Sequence, residues 1–559
     1  MKKFSNFFMM ALLGASLFAC SSEDDPMNEP EIQHVDNIYM SLDIKLPQVS
    51  RSRVVQGEEI GQGVENKINN IKVILVDPIG DKTVSSTSPK IYPGTTPTEY
   101  TVGFDAKDIL TLADAKGIKV YVVCNNQSIV DAGFKTNLSD AFLLPSADDK
   151  TFWGGENFLM ANANQKYNTV NIPSVAELKS HNTVNNAFNL SEGMKPIEVE
   201  RAAVRLDFAQ TNIAGTTTPN TYPMKKEAVD NPKGEETGVS IKLTHMSLTN
   251  VSKNFYTFRH VATPVNKGYL DSEALGDENG NYVVDTDAEA KFNYLQKEPV
   301  SFTLSGNYYN PWGDFKKSIQ ETSTDDTFTD IASWYSNATN DNHDSWNPTE
   351  EQQGYKIWKY TSENTIPQAN FVAKGVPSCV VFRGEIAIDK AKATPEMQAA
   401  FEKSNYLYVY DNVLYGDWAM FKAKATANAA AGNHTLQNIV NLVQPTDPKA
   451  EPDFQKAFDQ GLKMYKKVKD SFPVYYYYWI KHNDVYPSIT DQPDVTKRIM
   501  EYGLVRNNVY KMKVSTILNY GDPIESIPEP WTPIDDSKLY LKMQVSVLPW
   551  TVRINNIEF

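Results

Sequence analysis

IYMSLDIKL, residues 38–46, alternates without interruption. Ile38, Met40, Leu42, Ile44 and Leu46 hold one parity, and Tyr39, Ser41, Asp43 and Lys45 hold the other. Successive side chains of a strand point to opposite faces, so a period of two marks a half-buried β-strand. Pro47 has no amide to give to a ladder and ends it. Working outward, strands are expected at Lys67–Val76, Gly117–Cys124, Ile197–Phe208, Ser240–Thr249, Ser378–Ile388, Asn405–Val413, Val474–Ile480 and Val505–Ile517, and from Leu539 to the C-terminus. Helical spacing marks a short candidate at Asp105–Ala115 and residues 450–469, where Phe454, Phe458, Leu462 and Tyr465 share a face. Residues 138–190 are rich in Asn, Ser and Ala with weak periodicity, and 310–366, dense in Trp, Tyr, Asn, Asp and Ser, read as a long exposed loop region. No period of 20 to 50 residues indicates a repeat protein. The chain is therefore mainly β.

Of its 559 residues 41% are hydrophobic, enough to bury real cores. The net charge of −15 disfavours nucleic acid and anionic membrane surfaces, which recruit basic patches. Cys20, Cys124 and Cys379 are too few for a disulfide framework or a zinc site built of cysteines alone. Cys124 ends a strand-like run and reads as a small buried apolar residue.

The N-terminal segment reads as a cleaved export signal. Lys2 and Lys3 precede an apolar stretch, Phe7 to Phe18, that is too short to span a bilayer. It ends Leu17-Phe18-Ala19-Cys20, which resembles a bacterial lipobox, in which Cys20 becomes the lipidated first residue. The acidic run Ser21-Ser22-Glu23-Asp24-Asp25 just after it resembles the surface-export signal of Bacteroidota lipoproteins. The other reading is an ordinary secretory signal with an incidental cysteine. No later stretch is apolar enough to span, so the lipid on Cys20 is the expected membrane contact.

HExxH, GxSxG, GxxxxGK[ST], CxxC and GxGxxG are all absent. Asp277-Glu278-Asn279-Gly280-Asn281 lacks the spacing and closing glutamate of a calcium loop and reads better as a turn. His343-Asp344 and His482-Asn483-Asp484 have no second histidine nearby and read as solvated loops. Tyr475 to Tyr478 could stack sugars, but a strand puts two on each face, and packing is the better reading. No catalytic residue, cofactor or metal is expected.

The two ends of the chain carry the functional signal. Leu541, Met543, Val545 and Val547 alternate with Lys542, Gln544 and Ser546; Pro549 breaks the pattern, and the apolar parity shifts to Trp550, Val552 and Ile554. This strand comes after the Pro-rich linker 521–537. Near the other end, Arg51 and Arg53 lie in a polar loop, Gln48 to Gly63, just past the first strand. A protease cutting after either arginine would release that strand and open a groove. A neighbour's terminal strand could fill it, with main-chain hydrogen bonds and apolar side chains joining the subunits. Such a link is head-to-tail and propagates. Alternatively, both strands complete the edges of their own domains. Periodicity leaves these readings even.

A resemblance tips the balance. The lipobox with its acidic run, YMSLDIKLP with arginines after it, KINNIKVILVDP, IEVERAAVRLDF, YYYYWIKHN with MEYGLVRNNVYK beyond it, and above all LKMQVSVLPWTV at 541–552 resemble the fimbrillins of Bacteroidota, and most the major subunit of the minor fimbrium. The resemblance implies two transthyretin-like β-sandwich domains with helical insertions and a C-terminal donor-strand extension. It implies a signal peptide at 1–19, a lipidated propeptide at 20–53, domains at 54–196 and 197–537, and a donor strand at 538–559. It also implies a structural stalk subunit, anchored to the outer membrane by lipid as a precursor and assembled into a surface fimbrium when mature. The expected partners are other copies of the chain, anchor and tip subunits, an Arg-specific protease, and receptors on host or bacterial surfaces. A tip or anchor subunit and a surface glycan-binding lipoprotein are the alternatives.

Overall fold

The computed structural model describes residues 36–79 (apart from 47 and 50–58), most of 82–125 and 157–225, then 236–262, 312–322, 328–340, 354–365, most of 377–482, 502–524 and 541–553, with a few short pieces between them. Its strands in the N-terminal part are β1 (Asn37–Lys45), β2 (Gln48–Val49), β3 (Glu59–Ile60), β4 (Ile71–Asp77), β5 (Lys82–Ser85), β6 (Tyr92–Pro93), β7 (Glu99–Asp105), β8 (Ile118–Cys124), β9 (Met160–Asn162), β10 (Phe188–Asn189) and β11 (Ile197–Arg201). The principal strands of the remainder are β12 (Val204–Ala209), β13 (Thr221–Lys225), β14 (Glu236–Thr249), β15 (Tyr355–Thr361), β16 (Cys379–Ile388), β17 (Phe472–Trp479), β18 (Asn508–Ile517) and β19 (Leu541–Arg553).

The first sheet is ten-stranded, and its main path runs β5-β4-β8-β9-β11-β1-β7-β6. Its core takes alternate residues from each strand: Met40 and Leu42, Val73 and Leu75, Val102 and Phe104, Val120 and Val122. The second part is a sandwich. One sheet runs β2-β19-β18-β12-β15, the other β13-β14-β16-β17. They close on one core, in which Leu206, Phe208, Met512 and Val514 from the first meet Ile241, Met246, Phe382 and Tyr476 from the second. The fold is mainly β, as alternation predicts.

Three sequence expectations change within this frame. Ile197–Phe208 is not one strand opening the second unit. It breaks at Ala202–Ala203: β11 joins the first sheet beside β1, and β12 joins the second. Residues 310–366 are not a plain loop, because helices at Trp312–Thr322 and Ile331–Asn337 and strand β15 lie within them. The aromatics that suggested an exposed loop pack instead, with Phe315 buried and Trp334 against the sandwich core. The helix expected at 450–469 stops at Asp459. Gly461, at φ +75°, donates to the Phe458 carbonyl while Leu462 donates to Ala457, a Schellman stop that turns Leu462 and Tyr465 toward a strand at Lys463–Lys466.

That strand, a hairpin from Tyr406 to Tyr415 and helices at Trp418–Ala430, Thr435–Val443 and Phe454–Asp459 enclose a separate small core around Trp418, Phe421 and Ile439. This is a helical insertion in a β fold.

Candidate assembly site

β1 is an interior strand. On one side it runs antiparallel to β7, from Asn37 opposite Asp105 to Asp43 opposite Glu99. On the other it runs parallel to β10 at Met40–Ser41 and to β11 at Ile44–Lys45. Further bonds hold its ends: Tyr39 N donates to the His181 carbonyl at 2.8 Å, Ile44 N to the Thr98 carbonyl at 2.8 Å, and Asp43 N to Ser191 Oγ at 3.0 Å. Ile38, Met40 and Leu42 are fully buried, with Ile44 at 2% and Leu46 at 8% exposure. Five such side chains contribute roughly 8–15 kcal/mol of gross hydrophobic stabilisation. Withdrawing β1 would leave an apolar groove between β7 on one side and β10 and β11 on the other, with unpaired backbone on both walls.

The tail lies at home. β19 pairs antiparallel with β18 from Leu541 opposite Ile517 to Pro549 opposite Asn508, so Met543, Val545 and Val547 stand opposite Val514, Met512 and Tyr510. Leu541 is buried in the sandwich core and Met543 packs against it. At Pro549 the partner changes. Trp550 and Thr551 pair parallel with Glu59 and Ile60 of β3, and Val552 and Arg553 pair parallel with Gln48 and Val49 of β2. An open sheet edge and an amphipathic strand of the same chain thus satisfy each other.

Arg51 and Arg53 fall between β2 and β3, outside the described residues, as do Cys20, the signal segment, Ile554, Asp277–Asn281 and His343–Asp344. Past β3 the chain is moored at Glu65. Glu65 is completely buried, and its carboxylate accepts from Arg205 Nη1 at 3.3 Å and from the Tyr360 hydroxyl. Arg205 also forks onto Asp207 at 2.8 and 2.7 Å. Arg201 Nε donates to the Glu65 carbonyl at 3.0 Å, and its Nη1 to Asn507 Oδ1 at 3.2 Å. Burial pulls the Arg201 guanidinium down to about 10, against the opposing pull of Glu65, so it stays charged at neutral pH. Arg201 and Arg205 lie in the run Ile197–Phe208, where charged residues fall on both parities and give no clean solvent face. Opposite charges two residues apart, Arg205 and Asp207, were the signal for a buried, self-neutralising face.

A second buried cluster adjoins. Arg506 Nε donates to Glu363 at 2.9 Å and its other nitrogens to the Thr257 and Tyr256 carbonyls, while Arg259 pairs with Glu200. Burial raises the Glu200 carboxyl to about 7 despite Arg259. His482 is half-buried and not a free loop histidine: its Nδ1 meets the Tyr510 hydroxyl at 2.7 Å, and burial, with Arg259, lowers it to about 4.

The tyrosine run packs on both faces, with Tyr476 and Tyr478 toward the sandwich core and Tyr475, Tyr477 and Trp479 around Phe315 and Ile319. Cys124 and Cys379 are free and buried in different clusters, their thiols driven up by burial. Among the described residues no group of three His, Cys, Asp or Glu could hold a metal, and no helix is long and apolar enough to cross a membrane.

Residues 471–556, which contain β17, β18 and β19, match the family described as major fimbrial subunit protein type IV, fimbrillin, C-terminal. The likeness to a fimbrillin C-terminal domain lies in these residues. Within that domain the tyrosine strand, the β18 ladder and the amphipathic tail are thus parts of one family unit. Among solved structures, a fimbrillin from Porphyromonas gingivalis W83 is similar at 13% identity, covering 93% of this chain and 99% of that one with a TM-score of 0.36. The tip fimbrial protein Mfa3 of Porphyromonas gingivalis, with a C-terminal truncation, is similar at 11% identity, covering 92% and 100% with a TM-score of 0.31. No curated protein matches the chain. The likeness to fimbrillins rests on residues 471–556.

Proposed function

We propose that the chain is a structural stalk subunit of a cell-surface fimbrium and not an enzyme. It would be exported as a lipoprotein through Cys20, held at the outer membrane as a precursor, and trimmed after Arg51 or Arg53 by an Arg-specific protease. It would then polymerise when the tail of one copy, Leu541 to Ile554, fills the groove that β1 leaves in the next. Anchor and tip subunits would complete the fimbrium, which would serve adhesion and biofilm formation through receptors on host or bacterial surfaces. The observation that carries this reading is the seat of β1: an interior strand whose apolar face is wholly buried and which lies on the N-terminal side of both arginines.

Before the cut β1 occupies its groove in cis, at an effective concentration no incoming strand matches. Cutting makes it a separate peptide that can be lost or displaced. The test is the Arg51→Ala, Arg53→Ala double substitution beside each single one, with surface material run unheated on denaturing gels. The double variant should stay full length and monomeric while each single variant ladders. A normal ladder from the double variant would overturn the reading.

The pairing of β19 with β18 is also what a tip or anchor subunit that never donates its tail would show. Copies in which the tail is absent separate the two: a stalk subunit without Leu541–Phe559 fails to extend a filament, whereas a tip subunit still caps one.

A further inference from the structure

The tail is held by two different parts of the chain, and the change falls at one residue. β18 pairs with Leu541 to Pro549, while β3 and β2 pair with Trp550 to Arg553. Proline gives no amide, so the β18 ladder ends naturally there. β2 and β3 lie on opposite sides of Arg51 and Arg53, and β2 lies on the same side as β1.

We infer that the N-terminal segment is a latch on its own chain's tail, and that one cut both opens the acceptor groove and loosens the donor strand. The inference rests on the proposed trimming at Arg51 or Arg53. The fragment that leaves with β1 takes β2 with it, so Val552 and Arg553 lose their partner strand as the groove empties. β3 stays, because the chain just beyond it is fixed by the buried Glu65–Arg205 pair. The tail end is then held by β3 alone, and strand release can begin from the terminus and run back toward Leu541. The coupling has a clear use: an uncut chain presents neither a groove nor a free strand, so neither half of the joint is exposed during export.

Hydrogen exchange on the purified full chain tests this. Three samples are compared: the Arg51→Ala, Arg53→Ala chain, the wild-type chain after cutting and removal of the fragment, and the uncut chain carrying Gln48→Pro with Val49→Pro. Val552 and Arg553 should exchange about tenfold faster in the second and third samples, the loss expected for one or two net hydrogen bonds. Amides of Leu541 to Leu548, on β18, should keep their protection at first. Retained protection of Met40 to Ile44 certifies that the proline variant still seats β1; if it does not, the cut sample decides alone. Unchanged exchange at Val552 and Arg553 in the cut sample overturns the latch. Faster exchange in a cut chain that never polymerises supports the latch and overturns strand exchange instead.

Discussion

Glu65 and Arg205 form an ion pair at 3.3 Å with no exposure on either side chain, and it joins the segment just past the two arginines to the first strand of the sandwich. Asp207 and the Tyr360 hydroxyl complete the pair, so the charges are taken out of water only where each has partners. The pair would still hold the segment around Glu65 after trimming at either arginine.

Glu65→Ala removes an acceptor of the buried Arg205 Nη1 and of the half-buried Tyr360 hydroxyl. The expected loss is about 3 kcal/mol, the low end for breaking a buried pair, because Asp207 still serves Arg205. Chemical denaturation of the full chain checks it. A loss under half that value would mean that water reaches the site.

Leu42→Ala trims a fully buried side chain from β1. The uncut chain should lose about 2–5 kcal/mol of stability, as for other large-to-small core changes. After trimming and loss of the fragment, variant and wild type should melt together, since the altered residue is gone. A difference that persists in the trimmed form would show that β1 stays seated.

Stability should depend on pH through Glu200 and His482 in opposite senses. Glu200 is raised from 4.5 to about 7, so the folded chain holds that proton more tightly. Its contribution is full below pH 4.5 and is lost as pH climbs through 7, a fall of roughly 3 kcal/mol at most. His482 is lowered from 6.5 to about 4, so its contribution is present above pH 6.5 and is lost as pH falls through 4. Thermal scans from pH 4 to 8 on wild type and Glu200→Gln check this: the variant should lose the decline between pH 5 and 8 and keep the acid limb. Parallel curves would remove Glu200 from the account.

Cys20→Ser should abolish acylation, since only a thiol is modified at that position in lipoproteins. Among the described residues no helix is long and apolar enough to cross a membrane, so acyl chains are the proposed hold on the membrane. Metabolic labelling with a fatty acid should give no signal, and the surface level should fall. Normal surface assembly of the variant would sink the lipoprotein reading.

The sequence by itself determined the class of fold and the identity of both terminal strands. Alternation is a local property, set by the opposite orientation of successive side chains. It therefore located β1, β8, β14, β16, β17 and β18 to within a few residues, with Ile38, Met40, Leu42, Ile44 and Leu46 all buried as expected. The C-terminal pattern likewise survived as one strand, Leu541–Arg553. What alternation cannot supply is the partner. Ile197–Phe208 is shared between two sheets, and Arg201 and Arg205 face the buried Glu65 instead of water. The end of the tail lies against both sides of the arginine loop. Each of these contacts joins segments far apart in the chain. Two strands with equally apolar faces are interchangeable in sequence. Which edge each one covers is decided only when the sheets close and every buried amide and charge must find a partner at one place.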